Sequence, residues 1–142
     1  MARVSSYLNF NRKTEEAFNF YKTVFGTEFD GEIMRMDSDP SNPVAEEDKN
    51  LVIHVALPIL GGHVLMGTDA SESMGFKIIE GNNMHVNLEP DDLDEAKQIF
   101  KDLSAGGKVE MPLEKMFWGD YFASFTDKYG INWMINCNVK DK

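Results

Sequence analysis

Phe117-Trp118-Gly119-Asp120-Tyr121-Phe122-Ala123-Ser124-Phe125-Thr126-Asp127-Lys128-Tyr129-Gly130-Ile131-Asn132-Trp133-Met134-Ile135-Asn136 reads as strand, tight turn, strand. Aromatic and β-branched residues fill both arms, which suits a pleated, half-buried surface. Thr126 to Gly130 supplies the turn, with Gly130 free to take positive φ. The second arm alternates: Asn132, Met134 and Asn136 face one way, and Trp133, Ile135 and Cys137 the other. One face is apolar and the other is mostly amide.

Working back along the chain, the same asymmetry recurs. Val4 to Phe10 reads as a strand with Ser5, Tyr7 and Asn9 on one face and Ser6, Leu8 and Phe10 on the other. A helix is expected from Thr14 to Phe25. Its buried stripe is Ala17, Phe20, Tyr21, Val24 and Phe25, acidic residues open it, and Gly26 stops it. Glu28 to Met36 reads as a second strand. Residues 37–50 are polar, acidic and twice interrupted by proline, which predicts a mobile loop, either a lid or a disordered excursion. Leu51 to Ile59 and His63 to Thr68 are strands around a Gly61-Gly62 turn, and residues 69–83 read as a linker.

Met84 to Glu89 is the next strand, with His85, Asn87 and Glu89 opposite Met84, Val86 and Leu88. Asp92 to Glu95 has capping-box spacing and opens a helix burying Leu93, Ala96, Ile99, Phe100 and Leu103. Gly106-Gly107 ends it, and Lys108 to Met111 is a short strand before the hairpin.

The two halves match. Glu16-Ala17, Phe20-Tyr21-Lys22 and Val24 correspond to Glu95-Ala96, Ile99-Phe100-Lys101 and Leu103. Asn9-Phe10 aligns with Asn87-Leu88 if one residue is inserted, and Gly62 to Met66 aligns with Gly130 to Met134. Each half is a βαβββ unit. The expected class is α+β: one domain over 1–142 made of two modules, about 1–70 and 83–142. The apolar strand faces pack on the helices. The opposite faces, carrying Tyr7, Asn9, His85, Asn87, Asn132 and Asn136, line a cleft if the sheets curl toward each other, and meet bulk water if they stay flat.

Composition excludes several functions. The net charge is −10 and the pI about 4.6, so nucleic acid is not an expected partner. The single cysteine, Cys137, permits no intrachain disulfide, and its place on the apolar side of a strand predicts a buried thiol. No run approaches the roughly 20 apolar residues of a membrane span, and the N-terminus has no signal core, so the expectation is a cytoplasmic protein without a membrane partner.

Together Tyr7 to Phe10, Glu16 to Tyr21, Phe25-Gly26, Leu65 to Asp69, Gly106-Gly107, Phe117 to Gly119 and Thr126 to Asn136 resemble the PhnB-like branch of the glyoxalase/bleomycin-resistance/dioxygenase superfamily, also called vicinal oxygen chelate proteins. The resemblance implies paired βαβββ modules, two curled mixed sheets with helices outside, and a homodimer. It does not settle function, since the superfamily hosts isomerases, dioxygenases, thiol transferases and drug-binding proteins. Metal-dependent members place a ligand on the first and last strand of each module. Carried over, those positions are Ser5, Met66, His85 and Met134, of which His85 alone is a competent ligand. His54 and His63 fall elsewhere.

Some PhnB-like proteins are described as ubiquinone-pathway methyltransferases, but no glycine-rich strand-to-helix loop is present here to hold a methyl donor. No nucleophile motif occurs. His85 beside an acid such as Glu89 would make a general base, or else a hydrogen-bonded cleft histidine. Phe117, Trp118 and Tyr121 suit stacking on a planar ligand, or dimer or core packing. The nine methionines suit an adaptable pocket or an ordinary core. The reading is a metal-free protein, with no cofactor, that binds a small organic molecule in the cleft between its sheets through Tyr7, Asn9, His85, Asn87, Trp118 and Asn136. The alternatives are a divalent-metal-dependent lyase, isomerase or dioxygenase, and a structural dimer with a vestigial cleft.

Overall fold

The computed structural model describes residues 2–41 and 43–139. The chain divides into two compact units, Met1–Ile79 and Glu80–Lys142. The first runs β1 (Ser6–Phe10), α1 (Thr14–Phe25), β2 (Met34–Arg35), β3 (Val52–Pro58) and β4 (Val64–Asp69). The second runs β5 (Val86–Leu88), α2 (Leu93–Ser104), β6 (Lys108–Lys115), β7 (Tyr121–Thr126) and β8 (Asn132–Cys137). The sheet orders are β1-β4-β3-β2 and β5-β8-β7-β6. In each sheet the first and last strands of the unit pair in parallel and the rest pair antiparallel. The paired βαβββ reading and the α+β class therefore hold.

The hydrogen-bond register corrects the alignment of the halves. Leu8 pairs with Gly67 and Leu88 with Ile135. With Gly67 matched to Ile135, Leu88 is the counterpart of Leu8, and Asn87 of Tyr7, not of Asn9. The expected match had an offset of 87 − 9 = 78 where the register gives 88 − 8 = 80, a slip of two that keeps every face assignment because side chains alternate with period two.

In the first unit α1 packs on β3 and β4. Its bounds and its Gly26 stop are as expected, but its stripe is Thr14, Ala17, Phe18, Tyr21 and Val24. Phe18 takes the place expected for Phe20 and Phe25, which are half-buried. The cause lies across the interface. A Cβ on Gly67 would come within 2.5 Å of Phe18 Cε1, so the glycine in β4 makes the room that the Phe18 ring fills.

The expected strand over 28–36 is reduced to Met34–Arg35, with a register shift between those two residues. Arg35 turns to form a two-pronged ion pair with Glu15 at 3.0 and 2.8 Å. The segment 36–50, apart from Asn42, which lies outside the described residues, contains two single-turn 3₁₀ helices. It is tied down by Asp48, only 4% exposed, which pairs with Arg12 at 2.8 Å and accepts from Ser73 at 2.8 Å.

In the second unit α2 packs on β6, β7 and β8. Asp92 caps it by accepting from the Glu95 N–H at 2.8 Å, while Glu95 reaches back to Asp91 rather than to Asp92. The hairpin of β7 and β8 forms as read, with Gly130 at φ 90°. Trp133, Ile135 and Cys137 are fully buried. Burial pushes the Cys137 thiol above its ordinary pKa. The sixth strand runs on to Lys115, past Pro112, with two register shifts against β7.

Candidate functional site

The helices cover one face of each sheet. The other face of the second sheet carries a connected set of polar side chains. In register, Asn87 of β5 lies opposite Met134 of β8, which lies opposite Ser124 of β7. Thr126 lies opposite Asn132, and Phe122 opposite Asn136. His85, two residues before Asn87, points to the same side.

Glu110 joins this face from β6. Val109 pairs with Phe125 and Met111 with Ser124, so Glu110 is the extra residue of a β-bulge. A bulge re-aims the side chain it carries. Glu110 accepts from Ser124 Oγ at 3.0 Å and from Thr126 Oγ1 at 3.0 Å. Thr126 Oγ1 also lies 2.9 Å from Asn132 Oδ1. The Asn132 amide donates to the carbonyls of Gly81 and Met84 at 2.7 and 3.2 Å. His85 Nε2 stands 4.0 Å from Glu110 Oε2, beyond direct hydrogen-bond range. Asn136 Oδ1 is buried and has no hydrogen-bond partner among the described residues.

Of the six expected contacts, His85, Asn87 and Asn136 share this face. Trp118 lies in the turn between β6 and β7, 53% exposed. Its ring meets Phe117 edge-on at 4.9 Å and Phe122 at 6.5 Å, so it borders the face at the Asn136 end. Tyr7 and Asn9 belong to the first unit. Tyr7 lies opposite Met66, and its hydroxyl is 3.1 Å from His54 Nδ1, where desolvation raises its pKa. Asn9 is exposed opposite Thr68.

The acid facing His85 is Glu110, not Glu89. The sequence reading missed it, along with Ser124 and Thr126. Pro112 was the available signal, since proline inside a strand marks an edge or a bulge.

A match to the family model of the glyoxalase/bleomycin resistance protein/dioxygenase superfamily runs over residues 3–135. The chain belongs to that superfamily. Protein YjdN of Escherichia coli (strain K12) is 30% identical over 94% of this chain and 93% of its own. The crystal structure of protein PA1353 from Pseudomonas aeruginosa has TM-score 0.84 at 30% identity, covering 97% of this chain and 98% of that one. The PhnB protein from Bacillus cereus has TM-score 0.74 at 26% identity, covering 96% and 99%. These relatives place the chain in the PhnB-like part of the superfamily.

The metal used by some superfamily members does not fit the residues present. At the two first-unit positions Ser5 Oγ and Met66 Sδ contact each other at 3.9 Å, a hydroxyl and a thioether. Met134 adds a second thioether, which leaves His85 as the only suitable donor for a divalent ion among the four positions. Among the described residues no group of three or more His, Cys, Asp or Glu is placed to hold a metal. Nor is any helix among them long and apolar enough to cross a membrane.

Proposed function

We propose that this superfamily member binds a small organic molecule on the helix-free face of its second sheet, without a metal ion or other cofactor. The observation that carries the reading is Asn136 Oδ1, a buried acceptor with no hydrogen-bond partner among the described residues. Such an atom costs about 1–3 kcal/mol, a cost expected where a ligand supplies the missing donor. The neighbouring Glu110, held by two hydroxyls, adds a fixed charge. His85 and Asn87 complete the contacts, and Trp118 flanks them.

A ligand-observed NMR screen of fragments, on protein purified without chelator, tests the reading. Specific binders and substoichiometric metal by elemental analysis support it. Stoichiometric metal, or no binder in the screen, contradicts it.

We further propose a homodimer, through the exposed Phe117 and Trp118. A cytoplasmic setting suits a lone free thiol. Sedimentation at micromolar concentration should give about twice the 16.1 kDa chain mass, and a monomer would contradict the dimer.

A further inference from the structure

The second sheet's helix-free face sets donors and acceptors side by side, in cross-strand rows. Lys108 lies opposite Thr126, which lies opposite Asn132. Asn87, Met134 and Ser124 form the next row, with Glu110 in the bulge beside it. Asn136, Phe122 and Glu114 form another. The carboxamides of Asn87 and Asn136 each carry two donor hydrogens and an acceptor oxygen, and a neutral imidazole such as that of His85 carries one of each. Lys108, Glu110 and Glu114 put both signs of charge on β6, so charge alone selects no ligand. The geometry of the hydrogen-bonding groups does.

The deciding feature is the gap of 4.0 Å between His85 Nε2 and Glu110 Oε2. It is too wide for a direct bond, yet an oxygen about 2.8 Å from each atom fits between them, with its two contacts about 90° apart. Glu110 only accepts, and the Ser124 and Thr126 hydroxyls hold its two oxygens in place at 3.0 Å each. An atom that fills the gap must therefore give a hydrogen to Glu110, and it takes one from His85 when the imidazole is protonated on Nε2. A hydroxyl does both with one oxygen. An ether or a carboxylate gives no hydrogen, an ammonium takes none, and an amide divides the two roles between separate atoms.

We propose that the ligand is a neutral polyol built on a six-membered ring, a pyranose or a cyclitol, with one hydroxyl bridging Glu110 and His85. This deepens the binding reading above and rests on it. His85 and Asn87 alternate along one strand direction, about 6.6 Å apart. A ring with hydroxyls on opposite sides spans that distance. Its far hydroxyl meets the carboxamides of Asn87 and Asn136, which also give and take hydrogen bonds. Between these ends lie the Met134 thioether and the Phe122 ring, an apolar patch for the C–H face of the sugar ring.

Amide NMR titrations of the unmodified protein with methyl β-D-glucopyranoside, methyl β-D-galactopyranoside, methyl α-D-mannopyranoside and myo-inositol test this. At least one should move the amides of Asn87, Ser124, Met134 and Asn136 saturably. Deoxyfluoro analogues of that binder replace one hydroxyl at a time with fluorine, which is of similar size and gives no hydrogen. Replacement at the bridging position should weaken binding by about tenfold, and those at solvent-facing positions by little. Glu110→Gln and His85→Ala should each weaken the binder by about tenfold or less, and together by little more than one alone, because they hold the same hydroxyl. Equal affinity throughout the deoxyfluoro series would overturn the proposal, and that arm needs no variant to fold. Losses that simply add in the folded double variant would overturn the bridge. If amines, carboxylates or apolar fragments bind this face and none of the polyols does, the polyol assignment falls and the binding reading stands. If nothing binds, both fall.

Discussion

Trp133 donates its indole N–H to Asp127 Oδ2 at 2.8 Å, and both residues are buried. The other carboxylate oxygen accepts the backbone N–H groups of Tyr129 at 2.8 Å and Ile131 at 3.1 Å. One side chain therefore joins the turn to the central aromatic of β8. The register of the hairpin, and with it the face on which Asn132, Met134 and Asn136 stand, depends on this joint.

Asp127→Ala should accordingly destabilise the protein by about 2–4 kcal/mol, because it strands a buried indole N–H and two turn N–H groups. Asp127→Asn keeps an acceptor oxygen and should cost less. Urea unfolding followed by tryptophan fluorescence measures both. An alanine variant within about 0.5 kcal/mol of the parent would show that the joint is incidental.

The two helices are capped in different ways. Lys13, at the start of α1, offers no side-chain cap. Asp69, at the end of β4, supplies it instead, accepting the Thr14 N–H at 3.1 Å and hydroxyl at 2.8 Å. Its second oxygen takes the Val52 N–H at 2.8 Å. The register position matching Asp69 in the second unit is Cys137, and there Asp92 caps its own helix. Asp69→Ala should cost about 2–4 kcal/mol, since three buried donors lose their acceptor. Asp92→Ala should cost about 1 kcal/mol, the usual worth of an exposed cap. Equal losses in parallel denaturant curves would contradict this asymmetry.

Asp48 makes stability depend on pH. The Ser73 hydroxyl first, and Arg12 second, hold its carboxyl below the ordinary value. A carboxylate with a lowered folded pKa contributes stability above its unfolded pKa and loses it as pH falls through the folded value. The contribution should be complete at neutral pH and fade below about pH 4, near the ordinary aspartate pKa. Asp48→Asn should therefore be less stable than the parent at neutral pH, with the gap closing in acid. A gap constant across a pH series of thermal melts would be the contrary result.

Regular alternation made the hairpin and the strand faces legible in the sequence, helical spacing did the same for both helices, and strand face assignments survive a slip of two residues. The losses came where a residue's setting is fixed by something distant in the chain. Phe18 is buried because Gly67 makes room for it. Glu110 was invisible because a bulge breaks the period on which face assignment rests. Asp69 fell in the expected linker although it ends β4 and caps a helix 55 positions away. The candidate site was legible on β5 and β8, where the strands are regular, and not on β6, where they are not.

The central claim concerns where a ligand sits, and position-resolved NMR reads this directly. A fragment found to bind would be titrated into ¹⁵N-labelled protein and its amide shifts mapped. The account predicts a contiguous set including His85, Asn87, Ser124, Met134 and Asn136. It also predicts that His85→Ala weakens that fragment by about tenfold or less, the worth of one neutral hydrogen bond, without loss of fold. Shifts confined to the exposed Phe117–Trp118 turn or to the outer surfaces of α1 and α2, with the β5 and β8 amides unmoved, would contradict it.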